Sequence, residues 1–373
     1  MLLFTPGPTP VPESVRLAMA EPTLHHRTPE FEAIFADTRA LLFELMATDE
    51  VVMIASSGTG AMEAAVTNLC HHTLLNINAG KFGERFGKIA RASGLNSVEI
   101  KHEWDTPATV DEVLSALKAN SDIDAIAIQI SESAGGLRHP VEEIATAVKA
   151  IRPDIMVIAD GITAVGVERI DVSHIDCLIA GSQKALMLPP GLAILGLSNQ
   201  GIEKIGEGKG YYLNLASEIK KQRQNTTAYT AATTLVIGLR SIIQEIKDGE
   251  GISKLYCDTA RRAKATRFAL EAIGLHSYPK TPAKSMTTID DADASEIRAI
   301  LKNDFGINVA GGQDHLKGKI FRINQMGLIP THQLIWVVNA VELALAKMGR
   351  RDFDGTASRV FNEEYFKAVL KKA

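Results

Sequence analysis

The fold is decided by one stretch, residues 177–185, which reads Cys177-Leu178-Ile179-Ala180-Gly181-Ser182-Gln183-Lys184-Ala185. A short apolar run is followed by small residues and then, almost at once, by a lysine. A lysine just beyond a buried strand is unfavourable unless its ammonium group is paired with an anion or takes part in chemistry. Because desolvation lowers the pKa of a lysine amine, such a residue is a competent nucleophile toward carbonyl compounds. The stretch therefore predicts a strand end that carries chemistry.

Similar apolar runs recur through the first 200 residues. They are rich in Val and Ile, and they occur at 51–55, 74–78, 125–130, 155–159, 177–180 and 193–197. Most are separated by stretches with helical spacing, such as 60–70, 110–119 and 141–151. This alternation is typical of an α/β protein with a mostly parallel sheet covered by helices.

After about residue 200 the pattern changes. Helical spacing covers 233–247 and 252–273, and beyond these, short strands at 285–289, 307–310 and 319–323 alternate with helices at 294–304 and 331–348. This predicts a smaller C-terminal α+β domain. The Pro-rich segment 5–12 fits neither a central strand nor a helix interior, so we expect an extended arm. The expected parts are an N-terminal arm (1–20), a large domain (21–250), and a linking helix with the small domain (251–373).

The composition excludes several classes of protein. The 373 residues carry a formal charge of -4, with 46% hydrophobic and 23% charged residues, so a nucleic-acid partner is not expected. We find no leader-like N-terminus and no run of eighteen apolar residues, which predicts a cytoplasmic protein without a membrane partner. Cys70, Cys177 and Cys257 lie far apart, which argues against a disulfide framework and against a metal site.

Two further strand ends carry polar or small residues. In open α/β sheets ligands bind at the carboxyl ends of strands. Ser57, Gly58 and Thr59 follow the first apolar run and open a helix, where free N–H groups and the helix dipole favour a phosphate. Asp160 follows another run. Taken alone, the turn at 57–59 is equally explained as an ordinary capped turn, and Asp160 as an acid that caps a helix.

Six motifs together resemble a known family. In chain order they are TPGPT at 5–9, the turn at 56–64, the ESSTG-like loop at 132–136, GSQKAL at 181–186, PPG at 189–191 and the RIGxxG-like run at 322–327. They resemble the class V aminotransferases of fold type I, above all the alanine–glyoxylate and serine–pyruvate aminotransferase branch. The resemblance covers nearly the whole chain. It implies the pyridoxal 5'-phosphate (PLP)-dependent transferase fold, with PLP bound by the large domain.

The resemblance implies a role for each cofactor residue. Lys184 would carry PLP as a Schiff base and move a proton, while Asp160 would hold the ring nitrogen. The phosphate would be held by Ser57, Gly58, Thr59, Gln183 and Thr230, the last from the partner subunit; Ser133 would lie near the ring oxygen, and Phe82 on the ring face. A homodimer with shared active sites follows. Thr227 stands where relatives have a tyrosine that also contacts the phosphate.

Substrate binding rests on two arginines. By resemblance, Arg322 would grip the α-carboxylate of the amino acid, a role suited to a bidentate guanidinium. Arg27, in the run His25-His26-Arg27, could bind a second anionic group of an acidic substrate. An exposed polar turn before a helix near residue 29 explains Arg27 equally well.

The expected activity is amino transfer from alanine, serine or aspartate to glyoxylate, pyruvate or 2-oxoglutarate by a ping-pong mechanism. One alternative is a lyase or cysteine desulfurase of the same fold, but a desulfurase needs a mobile catalytic cysteine, and none of the three fits. The other alternative is a non-catalytic subunit of a larger complex, against which the joint presence of Lys184, Asp160 and Arg322 argues.

Overall fold

The computed structural model describes residues 1–367. Within them, fourteen strands, numbered β1–β14 in chain order, lie at Leu2–Phe4, Glu50–Ile54, Thr73–Asn78, Asn96–Lys101, Ile123–Gln129, Ser131–Glu132, Leu137–Arg138, Met156–Asp160, Cys177–Gly181, Ala193–Leu197, His276–Ser277, Met286–Asp290, Ile307–Gly311 and Ile320–Asn324. In the same part of the chain, no helix is both long and apolar enough to cross a membrane.

The helices, numbered α1–α13 over the same residues, lie at Glu13–Met19, Pro29–Met46, Gly58–Leu69, Lys81–Ala92, Val110–Ala119, Val141–Ile151, Asn199–Ile205, Leu215–Gln222, Thr233–Asp248, Gly251–Glu271, Ala294–Phe305, Thr331–Lys347 and Thr356–Tyr365. A 3-10 turn covers Asp314–Leu316.

The larger sheet has seven strands in the order β2-β10-β9-β8-β5-β3-β4. The pairs among β4, β3, β5, β8 and β9 are parallel, and β10 is antiparallel to both of its neighbours. The expected mostly parallel α/β sheet is therefore confirmed. In the register, Gln129 lies opposite Asp160, and Asp160 lies opposite Ile179, so the carboxyl ends of three neighbouring strands meet at one edge.

Both faces of this sheet are buried. In β5, Ile126 and Ile128 pack into the apolar core on one face, together with residues of α2, α6 and α9. The alternate residues, Ala125 and Ala127, join the core formed by α3 and α4 on the other face. This alternation follows from the two-residue period of a strand. Helices on both faces hold the strand ends in fixed positions.

The smaller sheet has five strands in the order β1-β13-β14-β12-β11. It packs against α10, α11, α12 and α13 around its own apolar core. The N-terminal β1 pairs in parallel with β13, so the first residues join this sheet before the chain enters the Pro-rich segment. That segment then runs back to the larger sheet, where the N–H of Thr9 donates to the carbonyl of Gln183.

Most of the strands expected in the two sheets, and most of the helices expected around them, are present, with shifts of one or two residues at their ends. The edge strand β4 was not expected from the sequence. Its six residues read Asn-Ser-Val-Glu-Ile-Lys and are mostly exposed or half-buried, so they form no continuous apolar run. Likewise α4 was not expected, because its residues combine glycines and charges. This helix turns out to carry two residues of the candidate site.

Candidate active site

A cavity lies at the carboxyl ends of several large-sheet strands. Its lining includes eight residues predicted from the sequence and four that were not: Ser57, Gly58, Thr59, Phe82, Ser133, Asp160, Gln183 and Lys184, with Arg85, Ser131, Ile162 and Thr163. The predicted strand-end residues are thus brought together in space.

Lys184 follows β9 and is covered by the N-terminal segment. Its Nζ donates to the carbonyl of Pro6 at 2.7 Å, and its own carbonyl accepts from the hydroxyl of Thr9 at 2.6 Å. Gly7 has a φ of +120°, and a Cβ there would lie 2.6 Å from Nζ, so a larger residue would collide with the lysine. Burial lowers the pKa of Lys184 to about 8; the charges of Arg322 and Arg85 add to this effect, and Asp160 opposes it.

Asp160 ends β8 and is 5% exposed. Its Oδ1 accepts from the N–H of Ile162 at 2.9 Å. Burial raises its pKa to about 6, although that N–H, Lys184 and Arg85 all favour the carboxylate. For both Asp160 and Lys184, desolvation outweighs the attraction between them, so each is less charged than it would be in water.

The turn at residues 57–59 presents free backbone N–H groups to the cavity. Helix α3 begins at Gly58, and Ser57 makes no side-chain capping bond. The first N–H groups of a helix have no partner within it, and the dipole adds positive potential there. A Cβ on Gly58 would approach Ile162 to 2.6 Å, so glycine keeps the turn close to the floor of the cavity. The turn is suited to an anion such as a phosphate.

Glu132 fixes the start of α4. Its Oε2 accepts from the N–H groups of Phe82 at 3.0 Å and Gly83 at 2.9 Å, and its Oε1 accepts from the N–H of Ala134 at 2.9 Å. Burial raises the pKa of Glu132 to about 7 despite these donors. The carboxyl group therefore connects the loop that carries Ser133 to the helix that carries Phe82.

Arg322 lies on β14 of the smaller sheet, beside the cavity but outside its lining. Its guanidinium donates to the carbonyl of Ser133, which lines the cavity, and to the carbonyl of Gly311. Burial lowers its pKa to about 10; Glu132 opposes the shift, and Arg298 adds to it. The arginine stays protonated at neutral pH.

Besides Arg322, two predicted residues lie outside the lining of this cavity and away from it. Thr230 lines a separate pocket with Tyr212, Thr227 and Tyr229. Arg27 is exposed, and its backbone N–H donates to Nδ1 of His25 at 3.3 Å. Neither is brought to the chain's own site, so the roles suggested for them need a partner subunit.

Sequence reasoning missed three features of the site. Arg85 lines the cavity, Glu132 anchors α4, and the backbone of Pro6 and Gly7 lies on Lys184. Glu132 and the Pro6-Gly7 pair stood inside recognised motifs without a role. Arg85 gave no signal of its own, because α4, the helix that brings it beside Phe82, was not expected from the sequence.

The residues present fit PLP. The turn at 57–59 suits a phosphate, Asp160 suits a protonated ring nitrogen, and the amine of Lys184 suits an aldehyde. Within residues 1–367, Oε1 of Gln183 is buried without a hydrogen-bond partner, although this side chain lines the cavity. This fold and this set of groups define a PLP-dependent enzyme of fold type I.

Comparison with known proteins agrees with this class of enzyme. Residues 1–328 match the model of the family "Aminotransferase class-V". An uncharacterized aminotransferase of Helicobacter pylori is 49% identical over 98% of this chain and 100% of its own. A serine–glyoxylate aminotransferase of Hyphomicrobium methylovorum is 29% identical over 100% of this chain and 96% of its own. The crystal structure of a subgroup IV aspartate aminotransferase from Thermus thermophilus superposes with a TM-score of 0.87 at 30% identity, covering 93% and 99% of the two chains.

The chain belongs to the class-V aminotransferase family. It is a PLP-dependent aminotransferase, and the family resemblance and the cofactor expected from its sequence are confirmed.

Proposed function

We propose that this enzyme transfers the amino group of alanine, serine or aspartate to glyoxylate, pyruvate or 2-oxoglutarate. One observation carries the proposal: Arg322 donates to the carbonyl of Ser133, a residue that lines the cavity with Lys184 and Asp160. A guanidinium at that position can bind the α-carboxylate shared by all of these substrates. The serine–glyoxylate and aspartate aminotransferase names of similar proteins support the choice of donors and of glyoxylate.

In this proposal Lys184 and Asp160 do the chemical work. When bound, PLP supplies an aldehyde that condenses with amines and a ring that withdraws electrons from the substrate Cα. The amine of Lys184, neutral in a large fraction near pH 8, would hold the cofactor at its aldehyde and would be placed to hold the proton from the substrate Cα. Asp160 would hold the ring nitrogen in its protonated form, and Phe82 and Ser133 would contact the ring.

The phosphate is held by Ser57, Gly58, Thr59 and Gln183 in the same proposal. The free N–H groups at the start of α3 support it. For the Gln183 side chain to bind a phosphate, its amide group must present its NH₂ to the anion.

We propose a homodimer in which Thr230 and Arg27 act in the partner's site. Thr230 lies beside a cluster of exposed aromatic side chains, in which Tyr211 is 81% and Tyr212 43% exposed. Exposed aromatic groups of this kind are typical of protein interfaces. Sedimentation at micromolar concentration should give twice the mass of the chain, and a monomer with full activity would contradict shared sites.

The activity is tested with purified enzyme reconstituted with PLP. The bound cofactor should give an absorbance band that the free protein lacks, and borohydride reduction followed by peptide mass spectrometry should place the cofactor on Lys184. A panel of amino donors should then remove the band, and a panel of 2-oxo acids should restore it. The donor and acceptor with the highest kcat/KM identify the substrates.

Steady-state kinetics separates amino transfer from a lyase or desulfurase. Double-reciprocal plots at several fixed concentrations of the second substrate should be parallel, because the donor's product leaves before the acceptor binds. Intersecting lines, or release of ammonia or sulfide without an acceptor, would contradict the proposal.

A further inference from the structure

Arg85 is a charged residue of the cavity that the roles above leave unused. It lies in α4, three residues after Phe82, and lines the same cavity as Lys184 and Asp160. Arg85 is half-buried, and the N–H donors of its guanidinium can reach an anion bound in the cavity.

The protein itself gives Arg85 only neutral partners. Its Nη1 donates to Oγ1 of Thr59 at 2.7 Å, and its Cζ lies 4.7 Å from the centre of the Phe82 ring. Within residues 1–367, no carboxylate oxygen lies within 4.0 Å of its nitrogens. A guanidinium has five N–H donors, so most of its donors remain for another group. Its charge favours the ionised form of the Asp160 carboxyl group across the cavity.

The contact with Thr59 places the Arg85 guanidinium at one end of the cavity lining, next to the start of α3. Thr59 is the second residue of α3 and part of the turn that presents free N–H groups to the cavity. The Arg85 guanidinium therefore lies beside the turn that suits a phosphate, held there by a hydrogen bond and by the face of Phe82. Guanidinium groups bind phosphate oxygens with planar, charge-assisted pairs of hydrogen bonds.

We propose that Arg85 is a cofactor-binding residue that donates to the phosphate of PLP, together with the turn at residues 57–59. This inference rests on the proposed assignment of that turn to the phosphate. Two features hold the arginine in place. Glu132 anchors the first turn of α4, and the Phe82 ring supports the flat face of the guanidinium. The phosphate carries up to two negative charges, and the dipole of α3 offsets only part of them. The positive charge of Arg85 would offset more.

The test compares ligands with and without the phosphate. Apoenzyme is titrated with pyridoxamine 5'-phosphate and with pyridoxamine, neither of which needs to react with Lys184, and binding is followed by the change in ligand absorbance or protein fluorescence. Arg85→Ala should weaken binding of the phosphorylated ligand about 10- to 100-fold, the usual effect of losing a hydrogen bond to a charged group. Its affinity for pyridoxamine should change less than about threefold.

Two further variants make the result specific. Lys88→Ala removes an exposed cation from the same helix, and this variant should leave both affinities unchanged. In the wild type, Lys88 pairs with Glu84 at 2.8 Å. Arg85→Lys keeps the charge without the planar fork and should lie between wild type and Arg85→Ala. It also replaces Arg85→Ala as the main test if the alanine variant fails to fold, as judged by circular dichroism and Tm.

The outcomes separate this inference from the proposed function. Unchanged binding of pyridoxamine 5'-phosphate by Arg85→Ala, or an equal loss for both ligands, overturns the assignment of Arg85 to the phosphate. Failure of the wild-type protein to bind PLP at all would instead overturn the proposed function.

Discussion

The two sides of the cavity are built differently. The strand-end side, made of Lys184, Asp160 and the turn at 57–59, follows directly from strands buried on both faces of the larger sheet. The arginine side, made of Arg322 with the carbonyls of Ser133 and Gly311, joins the smaller sheet to a loop of the larger one. The first side is held by ladder hydrogen bonds, and the second by side-chain contacts between separate units. The first should therefore set the chemistry and the second the choice and affinity of substrate.

The largest effect should come from the strand-end side. Lys184→Ala removes both the amine that attaches the cofactor and the group that moves the Cα proton. We expect kcat to fall about 10⁴-fold or more, beyond the usual effect of one acid–base group. The measurement is steady-state transamination with the best donor. A variant that keeps more than about a tenth of wild-type kcat would break the distinction between the two sides.

Asp160→Ala should have the next largest effect. Without the carboxylate the ring nitrogen loses its charge partner, and kcat should fall about 10²- to 10³-fold, as for loss of other preorganised electrostatic contacts. Because Asp160 accepts one hydrogen bond from the protein and is desolvated, Tm should change by only a few degrees. Asp160→Asn, which has nearly the same shape, should show the same loss of kcat. A large fall in Tm with normal kcat per folded enzyme would show a structural role.

Arg322→Lys should act on binding more than on turnover. The lysine keeps the charge but loses the bidentate geometry, so KM for the amino acid should rise about 10- to 100-fold. The change in kcat should be smaller than the change in KM. Binding of PLP to the apoenzyme should stay unchanged, since Arg322 lies outside the lining of the cavity. Loss of PLP affinity equal to that of a strand-end variant would contradict the separation of the two sides.

The same contrast explains what could be predicted from the sequence. The strand ends were predictable because apolar runs locate β8 and β9, and parallel strands bring Asp160 and the Lys184 turn to one edge. Neither residue alone indicated a cofactor; the family motifs supplied the assignment. The roles assigned to individual residues stay predictions until the variants are measured.

The contacts between segments could not be predicted in this way. Three backbone donors converge on Glu132 from two segments fifty residues apart, and the carbonyl of Pro6 reaches Lys184 across 178 positions. Such contacts depend on how loops cross the sheet edge, which local patterns do not encode. Helix α4 was missed for another reason. Its apolar residues are few, so its placement depends on Glu132 and on packing against β3.

The two sides should also titrate separately, each at its own pH. Attachment of PLP to the apoenzyme requires the neutral amine of Lys184, whose pKa is about 8 instead of 10.5. The observed rate should therefore rise about tenfold for each pH unit below 8 and level off above it. With an unperturbed lysine, the observed attachment rate would keep rising to beyond pH 10.

The pH dependence set by Arg322 should have the opposite direction and occur at higher pH: binding weakens as the pH rises. Its protonated form binds the carboxylate, and with a pKa of about 10 the affinity for a substrate analogue should be constant to about pH 9 and fall above it. Stopped-flow attachment rates and equilibrium binding of the analogue, measured across the same pH series, give the two curves. One shared midpoint for both curves would show that a single group controls both sides, because independent groups buried in different surroundings titrate at their own pKa values.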